Sequence, residues 1–290
     1  LSSSLIQSLN SAALGNLAVN QVASLSTSQL ANLTAASLVG LSTADVQALS
    51  TSQLAALNTA QINALGTTNL GALTTGETMA LTSTQLASLT NVNLGALSTT
   101  DIQALTTKQL NALSTDQLNA LSSTNLQALT SSQLQALTTS SVQQLNSSQL
   151  NLLSTSQVTA LKATELDALT SAQLNSLSSN NLQALTSTQL NGLTVTQIKN
   201  LSTNQLNTLT TDQIAELSNT QVLALTTAQL SQLSSTNASA FTNSQYNAMS
   251  AAQETQVTLA QNSTPLVLNL NGSGPLTESI TAGVQFNLTG

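Results

Sequence analysis

Glu165 and Asp167 stand two residues apart in the octad KATELDAL, and a pair of carboxylates is the least equipment that general acid/base chemistry needs. Their slots in the surrounding repeat are cap and surface positions, so a solvated face is the expected reading. Serine is abundant, but a serine becomes a nucleophile only beside a base. The chain has no His and no Cys, which removes the usual general base, thiol chemistry, disulfides and the commonest metal ligand together. Lys108, Lys162 and Lys199 are isolated from one another and are expected at the surface. Gly-rich phosphate loops are absent. The octad containing Glu77, Thr78 and Met79 puts Thr where Leu belongs, which reads as a local packing adjustment. No catalytic, cofactor or metal site is expected, and no enzymatic activity.

Composition narrows the partners as well. Three Lys, no Arg and ten acidic residues give a net charge of -7, leaving nothing to neutralise phosphates, so nucleic acid is excluded as a partner. Apolar residues make up 40% of the 290 residues but are spaced singly, and no apolar run approaches the roughly 18 residues of a membrane span. Membrane insertion is not expected. The opening Leu1-Ser2-Ser3-Ser4 has no Met, basic region or apolar region, which reads as a piece of a longer chain or as a protein whose export signal lies elsewhere.

The elements that position these residues follow from one period. Stepping by eight from Leu1 meets Leu at all 30 positions through Leu233, then Phe241, Met249 and Val257. A register that never slips predicts a stacked array, a solenoid over 1–257. A second large apolar residue follows each Leu by five, as in Leu54, Leu110 and Leu190. The eighth position is small, as in Ala48 and Ala56. Each octad therefore offers two large apolar side chains and one small one to a narrow shared core, with Leu49, Leu54, Leu57, Leu105, Leu110, Leu137, Leu185 and Leu190 as representative anchors.

Helix or strand is decided by the residues between. After each Leu from Ser26 to Ser250 stand Ser, Thr, Asn or Gly, except at Lys162, and these residue types lead the helix N-cap ranking. Three residues further on, 20 of those 29 octads carry Gln or Glu, completing a capping box, while the two Leu flank it as a hydrophobic staple. Asp45, Glu77, Asp101, Asp116, Glu165 and Asp212 all fall in the first turn, where the helix dipole favours negative charge. The expected fold is an α-solenoid of very short capped helices, one per octad. Its rival is a β-solenoid with two octads per coil, which the Thr content favours and the invariant Leu opposes. A single continuous helix fails because an eight-residue repeat turns its apolar stripe by about 80° per unit.

The last repeats change character: Ala238, Tyr246 and Glu254 replace the second apolar residue, as expected of terminal repeats that close a core. Residues 258–290 are assigned to a separate C-terminal β-strand segment. It holds both prolines, Pro265 and Pro275, and alternating Leu266, Leu268, Leu270 and Val284, Phe286, Leu288, a possible assembly segment able to pair with a neighbouring subunit.

LVLNLNGSG followed by GVQFNLTG resembles the VLDLNGDG…GVQFDL segment of large bacterial repeat proteins of the RTX-adhesin type, in which octads like LTTxQLxAL also occur. The resemblance implies an extracellular or bacterial cell-surface location and a role in adhesion or biofilm. In that family the Asp side chains suggest calcium ligation; the matching Asn269, Ser273 and Asn287 are uncharged, so calcium is not expected here. The expected function is structural: an extracellular filament or surface stalk whose partners are copies of itself, head to tail, or flanking domains of a longer chain. The alternative is a repeat surface for ice or polysaccharide, which needs a flat β face of strictly spaced Thr.

Overall fold

The computed structural model describes residues 3–262, which fall into two units, Leu1–Ala168 and Leu169–Gly290. Each unit is an α-solenoid of very short helices, one per octad, and no strand occurs among the described residues. Helices run four to six residues, as in Thr51–Ala56, Thr107–Leu110 and Thr211–Glu216, until the closing Ala251–Gln261 of 11 residues. Too short to persist alone in water, such helices depend on their neighbours.

Two extended residues typically lie between one helix and the next, although at Leu65 the backbone stays helical and Gly66 turns it with φ 73. At the end of Thr27–Asn32, Leu33 adopts φ -66, ψ 147, and the following N-cap Thr34 adopts φ -75, ψ 151. Leu buries its side chain there while Thr starts the next helix. Within each unit a helix packs against the helix three further along, so that three octads complete one coil. The β alternative had two octads per coil and strands; the chain instead turns by a helix per octad.

Both apolar rows are interior. Leu49 is 4% exposed and Leu54 0%, Leu105 and Leu110 3% and 1%, Leu185 and Leu190 4% and 0%; Leu57 and Leu137 are equally buried. The eighth position differs from expectation. Ala48, Ala56, Ala64 and Ala72 are only half-buried, because the helix end that carries them lies at the corner of the coil. The third interior row is polar instead: the Gln, Asn or acid at the third helical position.

Coils approach closely beside Ser37. Ser37 replaces Gln, and its hydroxyl still reaches Leu9 O, 28 residues back. Gly40 makes the approach possible, since a Cβ there would lie 1.9 Å from Ser11 O. Gly40→Ala is therefore expected to prise these two coils apart at about 1–3 kcal/mol, the usual cost of overpacking. Faster amide exchange in residues 9–17, with 49–57 unaffected, is the check; unchanged exchange would refute the contact.

Of the segment assigned to 258–290, residues 258–261 continue the helix Ala251–Gln261. The alternating positions Leu266, Leu268, Leu270, Val284, Phe286 and Leu288 lie outside the described residues, as do Asn269, Ser273 and Asn287.

Candidate functional site

The capping box forms as the spacing predicts. In the helix Thr59–Ala64, Gln61 N donates to Asn58 Oδ1 at 3.0 Å and Asn58 N donates to Gln61 Oε1 at 2.7 Å. The same pair closes Thr82 with Gln85 and Thr106 with Gln109. A helix N-terminus has orphan N–H groups, and one glutamine oxygen and one N-cap oxygen take two of its loose ends.

What the box leaves over is the glutamine Nε2, and it points to the coil below. Gln61 Nε2 donates to Leu30 O at 2.8 Å and Leu33 O at 2.7 Å. Gln85 serves Leu54 O and Leu57 O at 3.0 and 2.7 Å, and Gln133 serves Ile102 O and Leu105 O at 2.8 and 2.9 Å. In the second unit, Gln245 meets Ile214 O and Leu217 O at 2.8 and 2.7 Å. The helix-end carbonyl, such as Leu30 O, also accepts from the N–H of the Leu three residues on, at 3.1 Å, while the carbonyl of that Leu lies beyond the reach of its own helix. One side chain therefore caps its own helix at the start and the helix beneath at the end. Sequence patterning identified only the first task.

A second clasp lies on the outer side. Asn63 Nδ2 donates to Ser88 O at 2.8 Å in the coil above, while its Oδ1 accepts from Thr90 N at 3.0 Å. Asn119 does the same with Gln144 O and Asn146 N, both at 2.8 Å. Because Asn146 N is taken, Gln149 Oε1 lies buried without a partner.

Four buried acids stand in the glutamine row: Asp45, Glu77, Asp101 and Glu165, each no more than 5% exposed. A carboxylate keeps the capping half of the clasp but has no proton for the carbonyls below. Two of the four are compensated. Thr78, fully buried at a Leu position, donates to Asp101 Oδ1 at 3.0 Å, so the departure noted in that octad serves a buried carboxylate one coil on. Lys162, at the N-cap, lies with Nζ 3.6 Å from Glu165 Oε1. Asp45, Glu77 and Glu165 each keep one oxygen without a hydrogen bond, and only that of Glu165 has a cation beside it.

This geometry corrects the reading of Glu165 and Asp167 as one solvated face. Glu165 is 1% exposed inside the coil, whereas Asp167 points to solvent, so the two do not converge on a substrate. Lys108, Lys162 and Lys199 are exposed, and Lys162 is paired. Among the described residues no three acids gather where a metal could sit. An open depression of about 400 Å³, lined by Met79, Leu81, Thr106, Lys108 and Gln109 among others, brings one cation to its rim and no acid/base pair.

Near the end of the second unit, Phe241 and Tyr246 meet edge to face with ring centroids 6.4 Å apart, and Gln261 Nε2 donates to the phenol oxygen. Burial pushes the Tyr246 phenol above its ordinary value of 10; the Gln261 bond opposes the rise and the Glu254 charge adds to it. A raised phenol keeps its full contribution to stability below pH 10 and loses it as pH climbs through the folded value. As this is the only tyrosine in the sequence, ultraviolet titration reads it alone. The midpoint is expected above 10 in the folded chain and near 10 in urea; equal midpoints would refute the burial.

Short capped helices stacked three octads to the coil define the class: a repeat protein with an α-solenoid fold. In agreement, a family model for the ALTTAQ repeat matches residues 38–75, 94–131 and 190–219. Its six letters are the clasp itself, with Leu as anchor, Thr as N-cap and Gln as the bridging residue, and they occur verbatim at 224–229. No curated protein matches the chain.

Proposed function

We propose that the chain is a non-enzymatic structural protein whose repeats build an extracellular filament or bacterial cell-surface stalk, in a setting of adhesion or biofilm matrix. The observation that carries this reading is the clasp. Within each unit a coil offers its neighbour below a row of amide donors and its neighbour above a row of carbonyl acceptors, in the same register each time. Two unlike, complementary faces make a head-to-tail interface, which does not close on itself and propagates. Copies of the same chain, or flanking domains of a longer one, are the partners such faces accept. The RTX-adhesin resemblance of the tail supports the extracellular setting. The non-catalytic part rests on the sequence, which has no His and no Cys. The ice- or polysaccharide-binding alternative asked for a flat β face, and nothing in the helical coils favours it.

Negative-stain electron microscopy of the purified chain at micromolar concentration tests the proposal. Long uniform filaments are the expected result. Separate particles at every concentration would refute self-assembly and leave the role of a spacer.

A further inference from the structure

We infer that Asp45 and Glu77 make two joints of the first unit proton-responsive: as carboxylic acids they clasp the coil below, and as carboxylates they release it. The argument rests on register. Where the third helical residue is Gln, its Nε2 reaches the coil below, commonly the carbonyl 28 residues back, as Gln53 does to Leu25 O at 2.6 Å and Gln85 to Leu57 O at 2.7 Å; Gln205 instead meets Leu174 O at 2.9 Å. Even the shorter Asn69 reaches Leu41 O at 2.9 Å. For Glu77 the carbonyl in that register is Leu49 O, and for Asp45 it is Leu17 O; neither receives a hydrogen bond. The oxygens that would have to donate, Glu77 Oε1 and Asp45 Oδ1, make no hydrogen bond inside the coil; Glu165 Oε1 makes none either, but it has the Lys162 charge 3.6 Å away. Their other oxygens accept from the N-cap: Glu77 Oε2 from Thr74 N and Oγ1 at 2.7 and 2.8 Å, Asp45 Oδ2 from Ser42 N and Oγ at 2.9 and 2.6 Å. A proton on the orphan oxygen turns it into the donor the register calls for; without it, two acceptors face each other.

Few charged groups surround these two acids. The helices that pack most on Thr43–Gln47, which carries Asp45, are Val19–Ala23 and Gly66–Leu70, without an ionisable residue, and in the clasp register Glu77 itself stands over its end at Leu49. Those packed on Thr75–Ala80, which carries Glu77, are Thr51–Ala56, with none, and Thr99–Ala104, with Asp101, whose Oδ1 is taken by Thr78. Thr107–Leu110 also meets Thr75–Ala80, through Gln109 Nε2 on Thr78 O at 3.0 Å, and carries Lys108, which is exposed; the only ion pair among the described residues is that of Lys162 with Glu165. Those two compensated acids are expected to respond less.

Glu77→Gln in the full chain restores the majority residue, so folding is not at risk. Hydrogen exchange of peptides spanning 46–57 and 73–81 is compared between variant and parent, near neutral pH and again below the ordinary carboxylate range, each ratio taken at a single pH. One regained hydrogen bond predicts exchange about tenfold slower in the variant at neutral pH, with the ratio falling toward one in acid. Asp45→Asn is expected to do the same across 14–25 and 41–49. A ratio of one at neutral pH, or a ratio that acid leaves unchanged, would overturn the inference.

Discussion

Leu137→Asn is expected to lower the stability of the first unit by about 2.5–6 kcal/mol, the sum of a lost buried Leu at roughly 1.5–3 kcal/mol and an amide stranded without partners at roughly 1–3 kcal/mol. Leu137 is 4% exposed and sits mid-unit, with coils on either side that depend on the same row. Loss at one anchor should therefore open the coils locally before the rest unfolds, as is usual where stability is a sum of nearest-neighbour terms. Urea unfolding followed by circular dichroism reads the total, and exchange of peptides around 129–145 reads the opening. Val39→Asn supplies the contrast: Val39 is 65% exposed, and its substitution should cost almost nothing. Equal midpoints for both variants would contradict the buried-anchor row.

Most of the fold is legible in the octad because each feature acts within one helix. Leu49 and Leu54 flank the cap, Ser50 and Gln53 close it, and the acids follow the dipole, all over a span of six residues. The number of octads per coil is different. It depends on how far two extended residues, such as Leu33 and Thr34, swing the next helix, and an eight-residue repeat carries no signal of period 24. For the same reason the second task of Gln53 is hidden: its partners, Ala23 O and Leu25 O, lie 30 and 28 residues away. A polar residue at a fixed place also reads as surface by pattern alone, which is how Glu165 came to be assigned to solvent.

Departures from the repeat become intelligible once the coil is known. Thr78 is an oddity in its own octad, yet opposite Asp101 it replaces the donor partner that a carboxylate otherwise lacks in the interior. Lys162 breaks the run of N-cap hydroxyls, and its charge stands beside Glu165, while its own N–H still donates to Glu165 Oε2 at 2.8 Å. Ser37 and Gly40 exchange a long bridge for a close approach. In each case two departures 23, 3 or 3 positions apart answer one another, across coils for Thr78 and Asp101 and within one octad for the other two pairs.

Gln109→Glu tests that interface with the least change of shape. The wild-type amide accepts from Thr106 N and Oγ1, both at 2.8 Å, and donates to Thr78 O and Leu81 O at 3.0 and 2.7 Å. Glutamate keeps the accepting half and gains about 0.3–1 kcal/mol from the helix dipole. It loses both donations and places a buried carboxylate against two carbonyl oxygens, a cost of about 3–5 kcal/mol when a buried charge is left unpaired. The second effect is larger, so net destabilisation of about 2–5 kcal/mol is expected near neutral pH. Thr106→Ala, which removes the cap and spares the clasp, should cost only about 1 kcal/mol. Urea midpoints of the two variants separate the roles: if Gln109→Glu proves as mild as Thr106→Ala, Gln109 is a capping residue alone, and the coils are held by their leucines.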